Sequence, residues 1–338
     1  MDSPDLTRAD GGPAIVTTLR AAGALLDDFI DYHLAAGFSR IYLIFDDPAD
    51  PDRARLQGRP AVEAITADDV WRSRWHRSPL FGELGASVDQ EVMARQILNA
   101  SVVADLAREA GHDWLLQIDI DELFLPAAGD ARALFHALRD QPVDVMRFAN
   151  MEAIPEHEAV DRPFAEVCLF KVPVEEMRRR VAPDAALADT LRRSRRFASG
   201  FFNLYSNGKS AVRLAEPGLQ PFGVHDFDWP RGGARRQQAR DAMILHHACC
   251  GLEAFKSKYR LLGRFADRWW NRYDIAAAIG PFHLQARDVV MGGDERAIAD
   301  FYRERVAMTD PTEVTFWEGH GLLRRLPGPS RLLARMKN

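Results

Sequence analysis

Hydrophobic and polar positions fall into blocks along the first third of the chain. Ala14-Ile15-Val16-Thr17-Thr18-Leu19 is an apolar run of strand length. Leu25, Leu26, Phe29, Ile30, His33 and Leu34 then recur at helical spacing until Gly37, a residue suited to closing a helix. Arg40-Ile41-Tyr42-Leu43-Ile44-Phe45 is a second strand. Strand, helix and strand within about thirty residues make a βαβ unit, whose two strands run parallel. Val62-Glu63-Ala64-Ile65-Thr66 predicts a third strand. Residues 72–87 are irregular and carry Trp75, His76 and Phe81, with Trp71 just before; they read as a substrate loop or as a connection anchored by aromatics. Ser87-Val88-Asp89-Gln90 has the form of a capping box. It predicts a long amphipathic helix through Val92, Ile97, Leu98, Val102, Val103 and Leu106 to Gly111.

The next block is the centre of the pattern. Trp114 to Ile118 is almost wholly apolar, as in a strand covered on both faces, and runs straight into Asp119-Ile120-Asp121-Glu122. In extended chain, residues two apart share a face, so Asp119 and Asp121 point the same way. Such a pair repels unless a positive charge or a proton intervenes. A hard divalent cation with oxygen ligands, Mg²⁺ or Mn²⁺, is a natural partner. The plainer alternative, acids capping a following helix, is opposed by Pro126, which would sit in its first turns. Leu123-Phe124-Leu125-Pro126 reads as an extended exit. Asp46-Asp47 and Asp68-Asp69 likewise follow the second and third strands. Three parallel strands therefore finish in acid pairs, at the edge where open sheets bind ligands. Ordinary solvated turns are the alternative for each pair.

Farther along, Asp130 caps a short helix to Arg139, and Val143 to Phe148 is another strand. Arg178-Arg179-Arg180 and Arg192-Arg193-Ser194-Arg195-Arg196 flank an Ala-rich middle; a solvated helix face is the simple reading, a grip on a diphosphate or acidic acceptor the other. Phe201 to Leu214 predicts a hairpin around Asn207-Gly208, with Lys209 just past the turn. Gly223-Val224-His225-Asp226-Phe227-Asp228 follows, then a strand Ala242 to Leu245 ending in His246-His247. Gly251 to Trp270 predicts a helix, and the remainder is helical and loop-like. Gly321 to Asn338 has five basic residues and no acid, divided by Pro327 and Pro329. It reads as a solvated tail, with weak peripheral contact to anionic lipid as the alternative. His33, His112 and His136 read as packing or surface residues.

Composition narrows the class. With 338 residues, 47% hydrophobic and 28% charged, the chain has material for one large domain and an appendage. A formal charge of −5 leaves no electrostatic footprint for nucleic acid. Three cysteines, Cys168, Cys249 and Cys250, lack C-x-x-C spacing, so neither a disulfide framework nor a zinc knuckle is expected. A reducing compartment fits them. Met1 to Gly12 is polar and acidic, unlike a secretory signal, and no apolar run approaches the roughly 18 residues of a membrane span. The expectation is a soluble, cytoplasmic protein with no integral membrane segment.

Taken in order, these blocks resemble the bacterial branch of the glycosyltransferases related to family 2 and family 92. Asp28-Phe29-Ile30-Asp31-Tyr32-His33-Leu34-Ala35-Ala36-Gly37 with Ile41 to Asp47 is similar to that family's first block. Trp114 to Leu125 is similar to its W-x-x-x-x-D-x-D-E-[FL]-[IL] block, and Gly208-Lys209-Ser210-Ala211-Val212-Arg213 to G-K-S-x-x-R. Gly223-Val224-His225 resembles its G-x-H, and His246 to Lys258 its last block. Arg20-Ala21-Ala22-Gly23 stands where the family has Asn-Glu, and His247, Cys250 and Gly251 also depart from it.

The resemblance implies an α/β fold of the GT-A type (a Rossmann-like mixed sheet flanked by helices, found in nucleotide-diphospho-sugar transferases) over residues 13–265. Residues 266–338 would be a helical C-terminal extension and basic tail. It implies metal-dependent transfer of a hexose-like sugar from a nucleotide-diphosphate donor to a glycan or lipid-linked hydroxyl, as in polysaccharide biosynthesis. Asp46, Asp47 and Asp68 would lie near the base and ribose. Asp119 and Asp121 would hold Mn²⁺ or Mg²⁺ on the diphosphate, Asp119 shared with the ribose, with His225 or His246 completing the coordination. The ion would stabilise the leaving charge. Lys209 would grip phosphate. For an inverting reaction, Glu122, Asp226 and Asp228 are candidates to take the acceptor's proton. Two other classes stand beside this one: a non-catalytic GT-A module that binds glycan or a partner, and a metal-dependent nucleotidyltransferase. The second usually adds a Gly-rich phosphate loop, for which Gly11-Gly12 and Gly23 are too sparse.

Overall fold

The computed structural model describes residues 11–269, 271–327 and 331. The expectations for residues 1–10, 270, 328–330 and 332–338, including most of the basic tail, lie outside the described residues. Contacts gather the described chain into two compact units. One takes its residues from Met1–Ala149 and Asn207–Ile244, the other from Asn150–Ser206 and Leu245–Leu332. Residue 265, where the resemblance ends, falls inside the second.

In the first unit the βαβ pattern forms as expected. Ala14–Leu19 (β1), Leu25–Ala35 (α1), Arg40–Phe45 (β2) and Val62–Thr66 (β3) follow in order, with β1 parallel to β2 and β2 to β3. Ile15, Ile41, Leu43 and Ile44 are fully buried, as strands covered on both faces require. Trp114–Gln117 (β4) pairs parallel with β1 on the side away from β2. Glu122–Pro126 (β5) is the extended exit that Pro126 predicts, and Val145–Phe148 (β6) the next strand of the main sheet. Asp130 caps the helix Ala131–Ala137 by accepting from the Ala133 N–H at 3.1 Å.

Among the described residues the main sheet has seven strands, in the order Arg236–Gln238, β6, Lys209–Arg213, β4, β1, β2, β3. Lys209–Arg213 is antiparallel to both β4 and β6, and the other pairs are parallel. This is an α/β fold, a mixed sheet flanked by helices. The chain runs outward from β1 to β3 and returns to β1's other side at β4. A reversal of this kind, at the strands' carboxyl ends, is where open α/β sheets bind ligands.

Three expectations are corrected. The long helix spans Val92–Glu109, opening at Glu91 without a side-chain cap. Ser87 instead closes a 3-10 turn, and its carbonyl accepts from the Gln90 and Glu91 N–H groups, so the capping box does not form. Phe201 to Leu214 is not a hairpin: Phe201–Asn203 is a 3-10 turn in the second unit, and Lys209–Arg213 inserts between two distant strands. Helix Leu252–Leu262 stops at Gly263, whose φ of +65° ends it well short of residue 270.

The aromatic segment before the long helix is anchored rather than loose. Trp71 and Trp75 indole N–H groups donate to Asn99 Oδ1 at 2.8 and 2.9 Å, and Asn99 Nδ2 donates to Thr18 Oγ1 at 3.0 Å. Asn99 is fully buried. Asn99→Ala strands two indole donors, and urea unfolding should show a loss of about 2 kcal/mol; a loss under about 0.5 kcal/mol would mean water replaces the amide.

In the second unit, strands Asn150–Ile154, Leu169–Lys171 and Leu323–Arg325 pair antiparallel. The first residues of the expected tail thus form an edge strand. The basic clusters resolve as ion-paired helix surface: Arg178 meets Glu175, Arg180 meets Glu176, Arg193 meets Asp189 and Arg195 meets Glu304. Arg196 is turned inward, on Glu313 and the carbonyls of Arg303, Glu304 and Ala307. Among the described residues no disulfide forms, and no helix is long and apolar enough to cross a membrane.

Candidate functional site

The carboxyl end of β4 meets the amino end of an antiparallel neighbour, and that is what brings acid and base together. Register pairs Gln117 with Ser210, so Lys209 stands one residue beyond, beside the chain leading into Asp119. Gly208 makes the entry possible. Its φ is +65°, and a Cβ there would lie 2.1 Å from the Phe148 carbonyl oxygen. Lys209 is 2% exposed, and its ammonium donates to Asp119 Oδ2 at 2.5 Å and to the Val224 carbonyl at 3.3 Å. Glu122 Oε2 lies 3.6 Å away, beyond hydrogen-bond reach. Asp119 Oδ1 accepts from Gln96 Nε2 at 2.9 Å, and Glu122 Oε2 accepts from the Asp119 backbone N–H at 2.8 Å. The positive charge that paired carboxylates demand is supplied by the chain itself.

The electrostatics follow from burial and this one ammonium. Burial raises the Asp119 carboxyl, but Lys209 outweighs it and holds the group below its ordinary value. Glu122, more deeply buried, goes the other way. Burial pushes it up to about 8 against the pull of Lys209, and the charges of Asp119 and Asp121 add to the rise. Burial opposes the charge on Lys209 too, yet Asp119 and Glu122 keep it well above the ordinary lysine value. His225 is lowered to about 4, by burial first and Lys209 second. Its Nδ1 hydrogen-bonds the Gly208 carbonyl at 2.8 Å; since a carbonyl only accepts, Nδ1 carries the proton and the neutral ring keeps its lone pair on Nε2.

The remaining expected site residues are mostly spoken for. Both Asp46 oxygens accept from Arg95, at 2.6 and 2.7 Å, in a nearly buried fork. Asp47 meets Arg20 and the Ala49 N–H, and Asp68 caps a short helix through the Trp71 N–H at 2.8 Å. Asp226 and Asp228 share Arg236, at 3.2 and 2.8 Å, and Asp228 also accepts from the Trp229 and Ala234 N–H groups. Arg236 pairs with both Asp226 and Asp228, and Glu122 is sealed from solvent with its carboxyl raised by burial. His246 belongs to the second unit, where its ring meets Tyr205 edge-on at 4.7 Å.

Gln96, Arg95 and Asn99, which contact Asp119, Asp46 and the tryptophans, are supporting residues that sequence reading passed over. Asn99, a buried amide amid the apolar positions of helix Val92–Glu109, was the available signal.

A divalent ion placed directly on Asp119 would crowd the Lys209 ammonium. Both Asp119 oxygens are engaged, and an ion on Oδ2 would sit about 4 Å from the Lys209 ammonium, given a metal–oxygen distance of roughly 2.1 Å. Their repulsion would be roughly 8 kcal/mol at an effective dielectric of 20. Among the described residues no three His, Cys, Asp or Glu side chains gather as a metal-binding group.

Comparison with known proteins finds similarity to glycosyltransferase-like proteins. No family model matches the chain. It is similar to Glycosyltransferase-like At2g41451 of Arabidopsis thaliana, 27% identical over 337 residues, which cover 95% of this chain and 72% of that protein. It is also similar to Glycosyltransferase-like At3g57200 of the same plant, 24% identical, covering 95% of this chain and 63% of that one. The chain therefore spans under two thirds of the second relative's length. These relatives are plant proteins, so the expected bacterial branch and family number are not what the matches name. Among solved structures, core-mannan synthase A of Aspergillus fumigatus, in its Mn/GDP form, is 11% identical over 63% of each chain with a TM-score of 0.25. A likeness that loose carries no weight for fold or ligand.

Proposed function

We propose that this protein is a glycosyltransferase that draws its sugar from a nucleotide-diphosphate donor and passes it to a hydroxyl of a glycan or lipid-linked acceptor. The observation that carries this reading is the charged cluster of Asp119, Asp121, Glu122, Lys209 and His225 at the point where strand order reverses, in a chain similar over 95% of its length to glycosyltransferase-like proteins. The crevice at such a reversal is where α/β sheets receive nucleotides. An open cavity of about 320 Å³ lies beside the end of β2, lined by Pro48, Asp50, Arg53 and Gln57, and would take the base. Resemblance over residues 13–265 extends the transferase domain across both units and leaves 266–338 as an extension.

In the transfer, the bond from the anomeric carbon to the diphosphate oxygen breaks, with its electron pair going to that oxygen. The acceptor oxygen forms the new bond to the same carbon, and its proton ends in solvent. Nothing in this step requires covalent help from the protein. What it requires is positive charge and hydrogen-bond donors where the leaving oxygens gather.

Incubating the protein with UDP-, GDP- and dTDP-sugars should release the matching nucleoside diphosphate from one class, with Mn²⁺ or with EDTA present. Release of pyrophosphate from a nucleoside triphosphate and a sugar phosphate would identify a nucleotidyltransferase instead. No turnover and no nucleotide affinity in either buffer would leave a binding module.

A further inference from the structure

We propose that Lys209, rather than a divalent ion, receives the donor's diphosphate, and that Asp119 is the anion the ammonium exchanges for that phosphate. The inference rests on the glycosyltransferase reading and deepens it.

A buried ammonium cannot be left bare, because its desolvation is repaid only by an anion or several dipoles in contact. Lys209 has one carboxylate at 2.5 Å and one carbonyl at 3.3 Å, and Glu122 Oε2 stands at 3.6 Å, beyond hydrogen-bond reach. Of the carboxylates near it, Asp119 and Glu122 differ in freedom to move. The Glu122 side chain is 3% exposed and tied to the Asp119 N–H, whereas the Asp119 side chain is 33% exposed. Asp119 can therefore swing toward solvent with its Gln96 hydrogen bond as tether, and Glu122 stays.

A diphosphate oxygen entering as Asp119 leaves would accept the same N–H that the carboxylate accepted. The ammonium passes from one anion to another without an uncompensated interval. A second phosphate oxygen can accept from the same ammonium. In this arrangement Asp119 is a placeholder for phosphate, and charge-assisted hydrogen bonds from Lys209 meet the negative charge that grows on the leaving oxygen. A cation bound on Asp119 would oppose the exchange, since it would hold the carboxylate in place and repel the ammonium.

Titration calorimetry with UDP, GDP and dTDP, in EDTA and in Mn²⁺, tests this on the 338-residue chain. The wild type should bind one of the three with affinities within about threefold in both buffers. Asp119→Asn removes the competing anion and should tighten binding in EDTA by about threefold to tenfold. Lys209→Met should weaken binding in EDTA by at least about thirtyfold, while Lys209→Arg, a check on folding and charge, should retain most of it. Wild-type binding that needs Mn²⁺, or an Asp119→Asn protein that binds more weakly than wild type, overturns the proposal while leaving sugar transfer intact. Binding of none of the three nucleotides in either buffer overturns both.

Discussion

Lys209→Met should cost about 3–4 kcal/mol of folding stability at pH 7.5, and most of that cost should vanish by pH 4.5. The substitution keeps the length of the side chain and removes only the charge that Asp119, Asp121 and Glu122 surround. The figure sits at the lower end for a broken buried pair because the Asp119 side chain is one-third exposed and water can partly serve it. The pH dependence follows from sign. In the wild type Lys209 holds the Asp119 carboxyl below its ordinary value, so its contribution is present above that value and fades as acid protonates the group. Without the ammonium, burial and the charge of Asp121 raise the same carboxyl above its unfolded value. The variant then takes up a proton on folding and recovers stability as pH falls. Urea midpoints in EDTA at the two pH values measure the difference. An equal penalty at both would show that the methionine merely packs badly.

The interior of the fold was readable from sequence, and the site only in part, for a physical reason. Hydrophobic period is a local property, so β1, α1, β2, β3 and β4 could be placed within a few residues. The Asp119–Asp121 pair stood out because an apolar strand ended in it. The identity of its counter-charge did not, since Lys209 and Asp119 are 90 residues apart. The Asn207-Gly208 turn suggested a hairpin, whose strands would pair with each other. The strand after it instead inserts between β4 and β6, where each edge offers it more buried pairing. No local signature distinguishes those outcomes. The same blindness applies to Arg95 on Asp46 and Arg236 on Asp226 and Asp228. Acids that looked available for a nucleotide or for an acceptor's proton were already paired with arginines from elsewhere in the chain.

Glu122→Gln should gain on the wild type steadily as pH rises from 5 to 8, by on the order of 1 kcal/mol per unit. Burial, aided by Asp119 and Asp121, lifts the Glu122 carboxyl from an ordinary 4.5 to about 8, in spite of Lys209. An acid raised on folding contributes its full share below the unfolded value and loses it as pH climbs through the folded one. Between the two, the folded chain holds a proton that the unfolded chain has released. Glutamine is neutral throughout and keeps an oxygen for the Asp119 N–H, so it lacks that slope. His225 moves the opposite way, since a lowered histidine loses its contribution as pH falls from 6.5 toward 4. It is present in both proteins and cancels from the difference. Urea midpoints at unit intervals from pH 5 to 9, in EDTA, should trace a rising difference that levels above 8. A flat line would mean that Glu122 is ionised in the folded state, and that Lys209 neutralises two carboxylates at once. The ammonium would then be bound too firmly to exchange Asp119 for a phosphate, so this curve bears on catalysis as directly as on stability.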